Sequence, residues 1–249
     1  MLKALIFDVD GTLAETEDLH RQAFNHAFAE LGLSWHWDSA CYADLLTVMG
    51  GKERLAHYVA TRHGDAAGLR ARMPEIHTRK TAIYGGLVSE GALALRPGVA
   101  RLIAEARAGD VRLAIATTTT RANVDTLLAV NFPAGDRPFD VIASGDEAAR
   151  KKPASDIFDL AVHRLGIAPS EAIAFEDSAA GIRSALDAGL PVLATRSRYT
   201  ESHRLDGAFS AVSDLGEPGA PHRHLSGYAW PDGLVTVGAL RDWHAQVTG

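Results

Sequence analysis

The chain has 249 residues, of which 47% are hydrophobic and 22% charged, a balance that excludes long disorder and fibrous repeats. With 25 Lys and Arg against 31 Asp and Glu, the formal charge of −6 leaves no electrostatic footprint for nucleic acid or an anionic membrane. One cysteine, Cys41, supplies neither an intramolecular disulfide nor a zinc framework. The first apolar run is too short for a signal peptide, and no later stretch approaches the ~20 apolar residues of a membrane span, so a cytoplasmic protein is expected.

In chain order, Ala4-Leu5-Ile6-Phe7 is a short apolar run that ends in Asp8. The next region, up to about Leu93, shows only helical periodicity. Leu19, Ala23, Phe24, Ala27, Phe28 and Leu31 form one stripe that Gly32 ends. A second helix is expected to end near Gly50-Gly51, a third to run from Lys52 to His63, and a fourth to begin at Pro74, a favoured first-turn residue. A helix follows Pro97-Gly98. Leu113-Ala114-Ile115-Ala116 runs into Thr117–Thr120, and Val141-Ile142-Ala143 precedes Ser144-Gly145-Asp146. A helix over 155–165 stops at Gly166, Ile173-Ala174-Phe175 runs into Glu176-Asp177, and a helix over 179–188 stops at Gly189 before Val192-Leu193-Ala194. Residues 216–233, rich in Gly and Pro, read as irregular, and a last helix is expected over 238–246.

Runs that are apolar on both faces and alternate with helices predict an open α/β fold: a parallel sheet whose ligand sites lie beyond the carboxyl ends of its strands. The helical stretch reads as an insertion after the first strand. This divides the chain into a core, 1–14 with 94–249, and a helical cap, 15–93, with hinges near Thr12–Glu15 and Ala92–Arg96.

The polar residues at those strand ends carry the chemistry. In Asp8-Val9-Asp10-Gly11-Thr12, one carboxylate fixed at a strand end can attack phosphorus, and the second can protonate the leaving alkoxide and then deprotonate water. A solvated acidic turn is the plainer alternative. Glu176-Asp177 suits a Mg²⁺ ion held with Asp8, or equally an acidic turn that favours the following helix dipole. Lys152 is a cation able to offset phosphate charge, although a surface lysine is the default. The Thr117 hydroxyl and the amides after it suit phosphate oxygens.

Together these motifs closely resemble the haloacid-dehalogenase-like phosphohydrolases, in the order DxDGT, Thr, Lys, ED, over about residues 1–215. The resemblance implies a Rossmann-like core with a helical cap inserted after the first strand. It makes Asp8 the nucleophile, Asp10 the general acid/base, Thr117 the phosphate-binding hydroxyl and Lys152 the neutralising cation. Mg²⁺ would be held by Asp8, the Asp10 main chain, Glu176 and Asp177. Within that family the chain is similar to the CbbY and β-phosphoglucomutase-like group.

The cap carries the substrate question. Glu17 and His20 end the first stripe beside the catalytic loop, and Lys80 interrupts an apolar stripe where either a bound anion or a snorkelling side chain explains it. Gly50-Gly51-Lys52-Glu53-Arg54 opens a helix suited to a second phosphate, or is simply a helix–helix loop. Resemblance to CbbY-type phosphatases implies xylulose 1,5-bisphosphate as the small phosphorylated sugar and a role beside the Calvin cycle. Lys52, Arg54, Lys80 and Arg121 would then serve the distal phosphate and Glu17 and His20 the sugar hydroxyls, with Gly50, Gly51 and Thr118 as further substrate-binding residues. A β-phosphoglucomutase-like phosphomutase is the alternative; its pattern has Lys-Asn where this chain has Thr120-Arg121. A monomer is expected.

Overall fold

A computed structural model describes residues 1–64, 67–91 and 93–248. The strands β1 (Ala4–Phe7), β2 (Arg112–Ala116), β3 (Val141–Ala143), β4 (Ala172–Glu176), β5 (Val192–Thr195), β6 (Ser210–Val212) and β7 (His224–Gly227) form one sheet in the order β3-β2-β1-β4-β5-β6-β7. All neighbours are parallel except β7, which runs antiparallel along β6.

Side-chain size sets the two faces of this sheet. Leu5, Phe7, Leu113, Ile115, Ile173 and Phe175 point to one face, where they meet helices α5 (Val99–Ala108), α6 (Arg121–Asn131) and α9 (Val237–Thr248). On the other face the strands present mainly small residues, Ala4, Ala114, Ala116, Ala172 and Ala174. There α7 (Asp156–Leu165) and α8 (Ala179–Asp187) fill the space with Phe158, Val162, Leu165 and Ile182. Burial on both faces is what the uninterrupted apolar runs required.

Between β1 and α5 lie four helices: α1 (Glu17–Glu30), α2 (Ser39–Leu45), α3 (Gly51–Arg62) and α4 (Ala67–Ser89). Their own aromatic cluster contains Phe24, Phe28, Trp37, Tyr42, Leu55, Tyr58 and Ile76. Trp37 is fully buried and touches the rings of Phe24, Phe28, Tyr42 and Tyr58. Trp37→Ala is therefore expected to cost about 3–5 kcal/mol in urea unfolding, and a loss below about 1 kcal/mol would show that the cap does not depend on this cluster.

The two chain crossings are stitched together by a bridge between Ala14 and Leu95 and by the Arg96 N–H donating to the Leu13 carbonyl at 2.8 Å. Arg96 also donates to the carbonyls of Arg196 and Ser213 at 2.6 and 2.7 Å, anchoring the crossing to the ends of β5 and β6. The expected hinge residue Ala92 lies outside the described residues.

Several expected boundaries move. The fourth helix starts at Ala67, with Pro74 inside it, because packing of α4 along α1 and α3 outweighs one missing helical hydrogen bond. The second helix ends at Leu45, well before Gly50; a turn leads to Gly50, whose φ of 90° brings the chain into α3. Helix α6 and strand β6 were not anticipated. Residues 216–233, expected to be irregular, contain β7, a short edge strand with two exposed polar residues and hence little apolar signal. Among the described residues no helix is long and apolar enough to cross a membrane.

Candidate active site

Strand order reverses between β1 and β4, because the chain leaves β1 for β2 on one side and reaches β4 on the other. A crevice opens at the carboxyl ends of such strands. Asp8 follows β1, Glu176 ends β4 and Asp177 comes next, so their carboxylates meet at this point. One oxygen from each of Asp8, Glu176 and Asp177 lies within 4.8 Å of the others, and all three residues are buried. Two glycines make this approach possible. A Cβ on Gly11, whose φ is +80°, would fall on the Asp177 carboxylate, and one on Gly181 would fall on that of Glu176.

Lys152 enters beneath them. Its Nζ donates to Asp8 Oδ1 at 2.6 Å, Glu176 Oε1 at 2.6 Å and the Ala116 carbonyl at 3.0 Å. Burial opposes its charge, but the Asp8 and Glu176 carboxylates outweigh that and hold its pKa above the ordinary lysine value. The other oxygen of Glu176 accepts from the amides of Asp177 and Ser178 at 3.0 and 3.4 Å, so this carboxylate also fixes the turn into α8.

One lysine does not balance the acids. Burial, with Glu176 and Asp10 adding and Lys152 opposing, pushes Asp8 up to about 8. Burial and the carboxylates of Glu176 and Asp8 push Asp177 well above the usual range, against the Ser197 hydrogen bond. Buried, mutually repelling hard oxygen donors beside a cavity fit a Mg²⁺ ion, and Asp8, Glu176 and Asp177 are the residues that would hold it.

Asp10 behaves differently. Its Oδ1 accepts from Thr16 Oγ1 at 2.5 Å and from His20 Nε2 at 3.2 Å. Burial opposes ionisation, but His20, Thr16 and Lys80 outweigh it and hold Asp10 near a pKa of about 2. Lys80 Nζ lies 2.8 Å from His20 Nδ1, which assigns the proton on the neutral ring to Nε2. Burial, then the neighbouring ammonium, lowers the His20 pKa. The misplaced charge on the cap stripe is thus buried against His20 and over the rings of Phe24 and Tyr84 rather than snorkelling.

The cavity above this cluster is shared by core and cap. Asp8, Asp10, Lys152, Glu176, Asp177 and Thr118 line it from the core, and Glu17, His20, Gly50, Gly51, Arg54 and Lys80 line it from the cap. Glu17 and Arg54 are set by Tyr42, whose hydroxyl donates to Glu17 Oε2 at 2.7 Å and accepts from Arg54 Nη1 at 2.9 Å.

Three expected residues stand apart. Thr117 is fully buried behind the lining, its Oγ1 accepting from the Thr119 amide at 3.2 Å. Lys52 points outward to Asp146 at 3.3 Å, and Arg121 pairs with Asp125 one helical turn on at 2.8 Å; neither lines the cavity. The structure adds residues that the motifs did not suggest. Asn123 is buried in the first turn of α6 and donates to Thr119 Oγ1 at 3.1 Å, while Met49, His77, Tyr199, Thr200 and His203 are also part of the wall. Asn123, three residues after the Thr120 cap, stands in the first helical turn beyond the polar end of β2, a position that points to it; Met49 and His77 carry no signal.

Residues 2–189 match the family model of haloacid dehalogenase-like hydrolases. The chain belongs to this family. This hydrolase is 52% identical to protein CbbY of Rhodobacter capsulatus over 217 residues, covering 86% of this chain and 94% of the relative. It is 45% identical to the plasmid CbbY of Cupriavidus necator over 98% of this chain and 97% of that one. Among solved structures, a CbbY variant from Rhodobacter sphaeroides in complex with xylulose-(1,5)bisphosphate superposes with a TM-score of 0.81 at 46% identity, covering 86% and 95% of the two chains. A β-phosphoglucomutase from Clostridium difficile, 18% identical, shares the fold over 99% of each chain with a TM-score of 0.74.

Proposed function

We propose that this hydrolase is a Mg²⁺-dependent phosphatase for sugar bisphosphates, with xylulose 1,5-bisphosphate as its substrate, acting through an aspartyl-phosphate on Asp8. The observation that carries this reading is one cavity lined from two sides. Asp8, Lys152 and the acidic cluster line it from the core, and the buried Arg54 and Lys80 line it from the cap. A substrate with two dianionic groups can use both. The CbbY structure that holds xylulose-(1,5)bisphosphate supports the same class of substrate.

In the first half-reaction an Asp8 oxygen bonds to phosphorus while the bond from phosphorus to the sugar oxygen breaks, and Asp10 gives its proton to the leaving alkoxide. Free Asp10 is ionised, and a phosphate dianion brought beside it favours the proton it needs. In the second half-reaction Asp10 takes a proton from water as the water oxygen attacks phosphorus, and the bond to Asp8 breaks. Lys152 offsets charge on the phosphoryl oxygens throughout, and the Thr118 amide offers a donor at the end of β2. A bound Mg²⁺ would supply further positive charge to the same oxygens.

Screening sugar mono- and bisphosphates by phosphate release tests the substrate. Xylulose 1,5-bisphosphate is expected to exceed ribulose 1,5-bisphosphate and the monophosphates in kcat/KM. A flat profile, or a preference for monophosphates, would remove this substrate. Conversion of β-glucose 1-phosphate to glucose 6-phosphate faster than phosphate release would replace the phosphatase by a mutase.

A further inference from the structure

Residues 197–203, which follow β5, touch both halves of the site. Ser197 Oγ donates to Asp177 Oδ2 at 2.6 Å, and the Ser197 amide donates to Thr200 Oγ1 at 3.0 Å. These bonds fix the base of the segment to the acidic cluster. Tyr199 projects from that base to the cap. Its hydroxyl donates to Asp18 Oδ1 at 3.0 Å, and its ring meets Tyr42 edge-on with centroids 5.8 Å apart. Asp18 stands in the first turn of α1, where Gln22 and Arg21 also donate to it at 2.8 and 3.1 Å. Tyr42 is the residue that sets Glu17 and Arg54. Beside this link, the Arg198 amide donates to Glu15 Oε2 at 3.3 Å, at the crossing into the cap.

We infer that Tyr199 is a positioning residue: it latches the closed cap onto the core and couples the cap's hold on a substrate to the acidic cluster. Its partners belong to the cap, whereas its own backbone belongs to the core, so its contacts to Asp18 and Tyr42 depend on cap position. A contact made only in the closed state shifts the open–closed balance by its own free energy, and an open cap holds no substrate with Glu17 or Arg54. The half-buried ring lies outside the two core clusters that flank the sheet, so removing only the hydroxyl leaves the folding core intact. The bond to an ionised partner, partly open to water, is expected to shift closure about threefold to tenfold.

The test compares wild type, Tyr199→Phe, Asp18→Ala and the double variant by amide hydrogen exchange without substrate. Each single variant should speed exchange in the first turn of α1 and in 197–203 about threefold to tenfold, with β1 amides unchanged. The double variant should match Asp18→Ala, because the Tyr199 bond is already lost there, whereas Asp18→Ala alone also loses the bonds from Arg21 and Gln22. Unchanged exchange, an equal rise in β1, or additive effects in the double variant would overturn the latch. A kinetic arm rests on the proposed substrate class: Asp18→Ala, whose side chain does not line the cavity, should raise KM for xylulose 1,5-bisphosphate by a similar factor with kcat nearly unchanged. A rise in KM equal to wild-type error would overturn the coupling to substrate. If wild type shows no bisphosphate preference, the substrate reading falls while the exchange experiment still decides the latch.

Discussion

Phosphate release by the Asp8→Asn protein is expected to fall at least ~10⁴-fold below wild type, because the substitution removes the proposed nucleophile while leaving the site assembled. The asparagine oxygen can still accept from Lys152, which keeps its bonds to Glu176 and the Ala116 carbonyl. The fold should therefore survive, and thermal unfolding separates lost chemistry from lost structure. The assay is phosphate release from p-nitrophenyl phosphate with and without Mg²⁺. Equal rates in the two proteins would end the assignment of Asp8, and equal wild-type rates with and without the metal would end that of Mg²⁺.

The second large effect belongs to Lys80. Burial lowers its pKa to about 7; Arg54 adds to that shift, while Asp10 and Glu17 oppose it. The unfolded value is near 10.5, so the folded, ligand-free protein disfavours the charged form. The sign follows: burial of the ammonium costs stability fully below pH 7, and the cost fades as pH rises from about 7 towards 10.5. Lys80→Met should raise the unfolding midpoint at pH 6 and lose that advantage at alkaline pH. It should also lower kcat/KM for a sugar bisphosphate by roughly one to two decades, the loss of a charge-assisted contact worth ~1.5–3 kcal/mol, with a smaller effect on p-nitrophenyl phosphate. Because a bound dianion restores the charge, wild type at pH 8 should take up a proton on binding, visible by calorimetry in buffers of different ionisation enthalpy. Lys80→Met should take up correspondingly less, keeping only the uptake at Asp10. A variant that is less stable at pH 6 and keeps its bisphosphate preference would show that Lys80 is a packing residue.

The legible parts of the fold were those where one physical demand dominates a segment. Burial on both faces makes β1, β2, β4 and β5 readable as apolar runs, and their polar ends place Asp8, Thr117 and Glu176-Asp177 at one rim. Lys80 was legible as an exception, a charge on an apolar stripe, and its burial beside His20 gives that exception its cause. Short edge elements were not: β6 and β7 have three and four residues, and most of the latter are exposed. Cations at helix starts were misjudged for a different reason. Sequence spacing places Lys52 and Arg121 near the cavity, but only the helix rotation decides which way each points, and both turn to a surface aspartate. Tyr199 carried no pattern because its partners, Asp18 and Tyr42, are distant in sequence and meet it only when the cap sits on the core.

The most direct test of covalent catalysis uses Asp10→Asn with p-nitrophenyl phosphate. Nitrophenolate is a weak base and leaves without Asp10's proton, whereas water attack on the phosphoenzyme still needs Asp10 as base. Rapid quenching in acid followed by peptide mass analysis should show a burst of one nitrophenolate per chain and a phosphoryl group on the peptide that contains Asp8. Slow release with no burst, and no phosphoryl group on Asp8 at any time, would contradict the aspartyl-phosphate mechanism.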